Sequence, residues 1–115
     1  MKGSMRWWRE ALLVLTQLHR SPPSLCITDA ARDQLLANLR SVTEFEPVAA
    51  LLWASEPSAV PAWHVAIYDR GTRRWGRVFT LQGIPFVFVQ NRAFTHLEQA
   101  TLDYSNGKFV VLGAA

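Results

Sequence analysis

Gly83-Ile84-Pro85-Phe86-Val87-Phe88-Val89 opens the stretch that decides the fold, and Thr101-Leu102-Asp103-Tyr104-Ser105-Asn106-Gly107-Lys108-Phe109-Val110-Val111-Leu112 completes it. Asn106-Gly107 between two apolar runs is the strongest short hairpin signal available, because a type I′ turn needs positive φ at both central residues. Strands are therefore predicted over 101–105 and 108–112. Gln82-Gly83 predicts a second tight turn into a strand over 84–89, with Pro85 near its start, where a missing N–H is tolerated. Between these strands Asn91 can cap a short helical turn that runs to Leu97.

Toward the N-terminus the period stays at two. Trp75 to Leu81 reads as the strand that precedes the Gln82-Gly83 turn, and Asp69-Arg70-Gly71-Thr72 starts the turn before it. Trp63, Val65 and Ile67 alternate with His64, Ala66 and Tyr68, the pattern of a half-buried strand. Ser55 to Pro61 holds two prolines and reads as a loop. Val48 to Trp53 is continuously apolar, as expected of a strand covered on both faces. Thr28-Asp29 supplies an N-cap and an acidic first turn for a helix over 29–40, whose buried stripe is Ala31, Leu35 and Leu39 with Leu36 alongside. Leu25-Cys26-Ile27 is too short for a helix and reads as an edge strand. Pro22-Pro23 bars helix continuation from the preceding segment. That segment, residues 5–20, reads as an amphipathic helix with Trp8, Leu12 and Leu15 at i, i+4, i+7 and Trp7, Ala11, Val14 and Leu18 broadening the stripe. Residues 1–4 look like a tag remnant or a disordered start.

The 115 residues are 50% hydrophobic and 18% charged, a balance that excludes intrinsic disorder and suits one domain. There is one cysteine, Cys26, so no intramolecular disulfide can form, and neither a four-cysteine zinc site nor a CxxC redox pair is present. The net charge of +3, with ten of the twelve basic residues Arg, is too modest to imply nucleic acid by itself. No apolar run reaches the ~20 residues of a membrane span. Ala11 to Leu15 is too short and too interrupted by polar neighbours for a secretory leader, so a cytoplasmic protein is expected.

The second half resembles a known family. Gly83 to Val89, a short helical turn ending His96-Leu97-Glu98, and Ala100-Thr101-Leu102-Asp103-Tyr104 are similar to the A-type iron–sulfur carriers, the HesB/IscA-like family. Ile27-Thr28-Asp29-Ala30-Ala31 is similar to that family's opening motif of Ile or Leu, Thr, and two alanines before a helix. The resemblance covers residues 25–113. It implies an α+β, HesB-like domain with a small twisted antiparallel or mixed β-sheet system, to which the helix at 5–20 is an addition.

The resemblance also implies what is missing. Cluster-carrying members use one cysteine in a glycine-rich loop between the first two long strands and a Cys-Gly-Cys near the C-terminus. The corresponding loop here, Ser55 to Pro61, has neither cysteine nor glycine, and the expected C-terminal pair falls beyond Ala115. The family's glycine before the Ala-Thr of the second motif is Gln99. Iron–sulfur clusters need thiolates, with His a partial substitute. Losing every family cysteine removes the chemistry that names the family.

The remaining candidates divide between function and packing. Cys26, flanked by Leu25 and Ile27, is read first as a small buried hydrophobe and second as a reactive thiol or metal ligand. His19, His64 and His96 show no ligand spacing. His64 lies near the degenerate cysteine loop, yet a plain strand histidine is the preferred reading. Arg70, Arg73, Arg74 and Arg77 around Trp75 could hold phosphate or an acidic partner, or be a charged hairpin that deters edge pairing. Trp7 and Trp8, between Arg6 and Arg9, could enter a membrane interface, but packing on the domain or on a second subunit is favoured. No nucleophile elbow, carboxylate pair or phosphate loop is present, so no enzymatic activity is expected.

The resulting expectation is a non-enzymatic HesB-like scaffold without a cofactor, acting as a homodimer on a protein partner through Trp7, Trp8 and the Arg hairpin. One alternative is an iron–sulfur or iron carrier using Cys26 with His64 or His96 across a dimer. A weaker one is nucleic-acid binding through the Arg70–Arg77 hairpin.

Overall fold

Thr28 sets the first regular element. Its backbone is extended, at φ −67° and ψ 160°, and its hydroxyl oxygen accepts the Ala31 N–H at 3.2 Å, satisfying a donor that the helix cannot. The computed structural model describes residues 20–54, 61–71 and 77–114. In chain order these form β1 (Cys26–Ile27), α1 (Asp29–Arg40), β2 (Pro47–Ala54), β3 (Ala62–Asp69), β4 (Val78–Leu81), β5 (Ile84–Val87), α2 (Ala93–His96), β6 (Thr101–Ser105) and β7 (Lys108–Leu112). The class is α+β. The helix expected over 5–20 and the start at 1–4 lie outside the described residues, apart from Arg20, which is exposed and not helical.

The strands make two mixed sheets, one of three strands in the order β1-β6-β7 and one of four in the order β3-β2-β5-β4. Each contains one parallel pair, β1 with β6 and β2 with β5, and its other neighbours run antiparallel. β1 is an edge strand, as its length predicts. β6 and β7 occupy the predicted spans, with Asn106 at φ 55° and Gly107 at φ 77° in the turn. Gln82 and Gly83, at φ 51° and 82°, close the β4–β5 hairpin with the same turn geometry.

The alternation expected of β3 holds only at its start, where Trp63 and Val65 are half-buried and His64 is exposed; Ala66, Ile67 and Tyr68 are all half-buried, because Ala66 and Tyr68 pack against a second cluster on the other face. β2 is a central strand and buries Val48, Ala49, Ala50 and Leu51 in succession, which is why its sequence does not alternate. Ala49 and Leu51 join the main core between the two sheets, together with Ala31 and Leu35 of α1, Phe86 and Leu102. Val48 and Ala50 point the other way, into a second cluster with Val87. Leu36 and Leu39 of α1 are only partly buried against the main core, so the predicted stripe narrows to Ala31 and Leu35.

Two expectations are corrected. β5 ends at Val87, not Val89, because Phe88 leaves the ladder and is fully buried against the rings of Phe79, Phe86 and Phe94 at centroid distances of 5.6–6.2 Å. The cap of α2 is Arg92, not Asn91, and it makes no capping bond through its side chain. This single turn is held by backbone bonds such as His96 N–H to the Arg92 carbonyl at 2.9 Å. Of the strand expected over 75–81, Val78 to Leu81 is observed, and Trp75 and Gly76 lie outside the described residues.

Candidate functional site

The outer strands of the two sheets, β3 and β7, pass beside each other. Between them opens a cleft of about 1050 Å³ whose walls also take in Gln34 and Asn38 of α1. Its sides are built from two cross-strand aromatic pairs. Trp53 and Trp63 face each other across the β2–β3 ladder, ring centroids 5.5 Å apart and edge-on. Tyr104 and Phe109 face each other across the β6–β7 hairpin at 4.8 Å, also edge-on. Edge-to-face contact is the favoured arrangement of such rings. Val65, Val110 and Val111 complete the apolar lining, while Gln34 donates to the Asn38 side chain at 2.8 Å on the helix side. His64 and Lys108 line the cleft, and no carboxylate does so among the described residues.

Gln90 fixes one wall. Its carboxamide accepts the Trp53 N–H at 2.7 Å and donates to the Trp53 carbonyl at 2.8 Å. The side chain thus supplies the two bonds that a neighbouring strand would give, just past the point where β5 ends. Sequence reading missed Gln90, and it missed the cleft. It also missed the aromatic pairs, although a signal for one was present, since Tyr104 and Phe109 stand symmetrically about Asn106-Gly107. Trp53 and Trp63 likewise bracket the loop.

A second set of contacts ties α1 to β6. The Thr28 hydroxyl donates to Asp103 Oδ1 at 2.7 Å, and the Tyr104 N–H donates to the same oxygen at 2.8 Å. The Thr28 bond, then the Tyr104 bond, hold the Asp103 carboxyl below its ordinary range. The Ser24 N–H donates to Glu98 at 3.0 Å and, with the Ser24 hydroxyl, lowers that carboxyl in the same way. Gln99 sits between these two carboxylates in sequence and takes φ 62°, a left-handed backbone that favours glycine.

The predicted site residues do not form one site. Cys26 is exposed, which overturns the expectation of a buried hydrophobe. Leu25 and Ile27 take the two inward positions, so alternation turns the residue between them outward. His64 is exposed on β3 and His96 is partly buried on α2, so the three candidate ligands stand on separate elements. Among the described residues, no three His, Cys, Asp or Glu side chains come together as a metal-binding group. Arg70 pairs with Glu46 at 3.3 Å, at an exposed position. Arg77 stacks over the Phe79 ring at 4.8 Å and donates to the Arg20 carbonyl at 3.0 Å. Trp7, Trp8, His19, Arg73, Arg74 and Trp75 lie outside the described residues. Among the described residues no helix is long and apolar enough to cross a membrane.

No protein-family model matches the chain, and no curated protein matches it either.

Proposed function

We propose that this chain is a non-enzymatic, HesB-like scaffold that ligates no iron–sulfur cluster and works by binding an extended segment of a partner protein. The cleft between β3 and β7 carries the binding half of this reading. It offers two aromatic pairs, aliphatic walls and two flanking edge strands, with no carboxylate among its described lining residues. Edge strands present backbone donors and acceptors to an added strand, and apolar pockets beside them select its side chains.

Two observations support the HesB-like half. The stretches on which the resemblance rests, around Thr28 and around Asp103, are 75 residues apart yet joined by a hydrogen bond. Gln99, standing where the family pattern has glycine, adopts the backbone conformation that glycine takes without strain. The reading that no cluster is ligated rests on the thiol count of one and on a loop at 55–61 without cysteine. A homodimer is the assembly this reading carries. Arg70 and Arg77 already make contacts within the protein, which weakens the nucleic-acid alternative.

The test has two arms. Protein expressed with added iron and purified anaerobically should be colourless, and a stoichiometric visible chromophore would sink the scaffold reading. Random peptides displayed against the protein should enrich extended aliphatic and aromatic sequences, and Trp63→Ser and Phe109→Ser should each abolish their retention. Retention that ignores both substitutions would remove the cleft from the argument.

A further inference from the structure

The hydrogen-bond phase of the two antiparallel ladders decides which main-chain groups border the cleft. Ser105 and Lys108 flank the two-residue turn of the β6–β7 hairpin, so they exchange hydrogen bonds with each other. Bonded and non-bonded pairs alternate along such a ladder. Lys108, Val110 and Leu112 therefore bond to β6, while Phe109 and Val111 turn their N–H and C=O groups outward. On the other side, Gln90 takes both main-chain groups of Trp53, so Trp53 and Trp63 are a non-bonded pair. Trp63 and Val65 thus turn their main-chain groups away from β2. Both outward edges border the cleft, and no described strand pairs with either.

We infer that the partner segment adds to the β7 edge as a further strand, with a carboxylate opposite Lys108 and apolar side chains opposite Phe109, Val110 and Val111. This rests on the reading that the cleft takes an extended segment, and narrows it to a register and a charge. Phe109 and Val111 each offer one donor and one acceptor, and they stand about 6.7 Å apart, the two-residue repeat of any added strand. Phe109, Val110 and Val111 are half-buried, so apolar side chains set opposite them remove more of their surface from water. Lys108 differs from them. It is exposed, and it is the one Lys or Arg among the described lining residues, which include no carboxylate. β3 carries neither Lys nor Arg, so the charge selects β7. A lysine on an edge strand deters indiscriminate pairing. A carboxylate opposite it turns that guard into an attraction, which favours an acidic segment over others. The net charge of +3 pulls in the same direction at longer range.

The experiment measures binding of labelled synthetic peptides to the full chain by fluorescence anisotropy. The peptides hold a Val-Ile-Val core with Glu, Gln or Lys at one end or the other, so that parallel and antiparallel addition are both probed. In one of the two orders the Glu peptide should bind about tenfold more tightly than the Lys peptide at low salt, an attraction and a matching repulsion of a few-fold each. Salt at about 1 M should shrink that ratio. Lys108→Glu should reverse the preference. Methylating alternate backbone nitrogens of the peptide should abolish binding in one phase and spare it in the other. Equal affinities for Glu, Gln and Lys peptides, or a preference that Lys108→Glu leaves in place, overturn the inference. The cleft reading then survives if Trp63→Ser and Phe109→Ser still abolish binding. Failure of every peptide to bind overturns both. Wild type sedimenting as a dimer and Val111→Pro as a monomer would assign this edge to a second copy, and overturn the inference as well.

Discussion

Replacing Gln90 by alanine removes two hydrogen bonds at once and tests whether this side chain holds the cleft wall. The carboxamide contacts the Trp53 N–H at 2.7 Å and the Trp53 carbonyl at 2.8 Å, both at partly buried positions. A neutral hydrogen bond contributes about 1 kcal/mol net, so two amount to about 2 kcal/mol if nothing replaces them. Water can reach a half-buried site and recover part of that, which brings the expected loss to about 1–2 kcal/mol. With a urea slope of about 1.5–2 kcal/mol/M, the midpoint should fall by roughly 0.5–1.3 M. Tryptophan fluorescence reports the transition, since Trp53 and Trp63 sit at the perturbed wall.

Gln90→Glu separates the two bonds. A carboxylate still accepts the Trp53 N–H but sets an acceptor against the Trp53 carbonyl, so the variant should be destabilised at pH 7. Once protonated, the introduced carboxyl can donate to that carbonyl and restore the pair. Its pKa in the folded protein should therefore be raised. The restored stability is then present at low pH and lost as pH rises through that raised value. Urea unfolding of Gln90→Glu and wild type at pH 7 and near pH 4 checks the sign. If Gln90→Ala stays within about 0.5 kcal/mol of wild type, or Gln90→Glu matches wild type at pH 7, the carboxamide does not act as a surrogate strand.

Gln99→Gly should leave the melting temperature unchanged or raise it, while Gln99→Val lowers it by the equivalent of about 1 kcal/mol, because a β-branched residue is strained at φ 62°. The lowered carboxyls of Asp103 and Glu98 stabilise the fold above the ordinary carboxylate range and lose that contribution as pH falls through their lowered values. Stability should thus decline below about pH 4, and Thr28→Val should flatten that decline while removing a cap that contributes about 1 kcal/mol; unfolding midpoints from pH 7 to pH 2.5 measure both. Cys26 is exposed, so an aromatic disulfide reagent should modify one thiol per chain in the native protein, at a rate within about tenfold of the urea-unfolded chain. Protection beyond a hundredfold would contradict its outward placement.

Local chemistry was readable wherever one residue type forces one backbone conformation. Asn106-Gly107 fixed both strands of its hairpin to the residue, and Thr28 fixed the start of α1, because a positive φ pair and an N-cap are short-range demands. The end of β5 was not readable, since its continuation is displaced by a carboxamide that reaches Trp53 from 37 residues away. Cys26 shows a conflict of rules. Its chemical type argues for burial, but it stands between two inward-facing residues of a strand, and the period of two decides. The cleft had no local signal, because it needs the outer strands of two separate sheets to come side by side.

The run Val48 to Leu51 carries the same lesson one level higher. Its unbroken apolar character showed that both faces of β2 are covered, and both are. It gave no information on the identity of either cover, because burial of a side chain depends on area removed from water and not on what removes it. The inner cover is α1 with the three-stranded sheet, and it is recognisable because Ala31, Leu35 and Leu102 share one cluster with Ala49 and Leu51. Of the described helices, α1 is committed to the inner core and α2 is a single turn whose Ala93 and Phe94 are buried there too. Neither described helix therefore lies over Val48 and Ala50, so the two faces of one strand are closed by different means although its sequence reads the same on both.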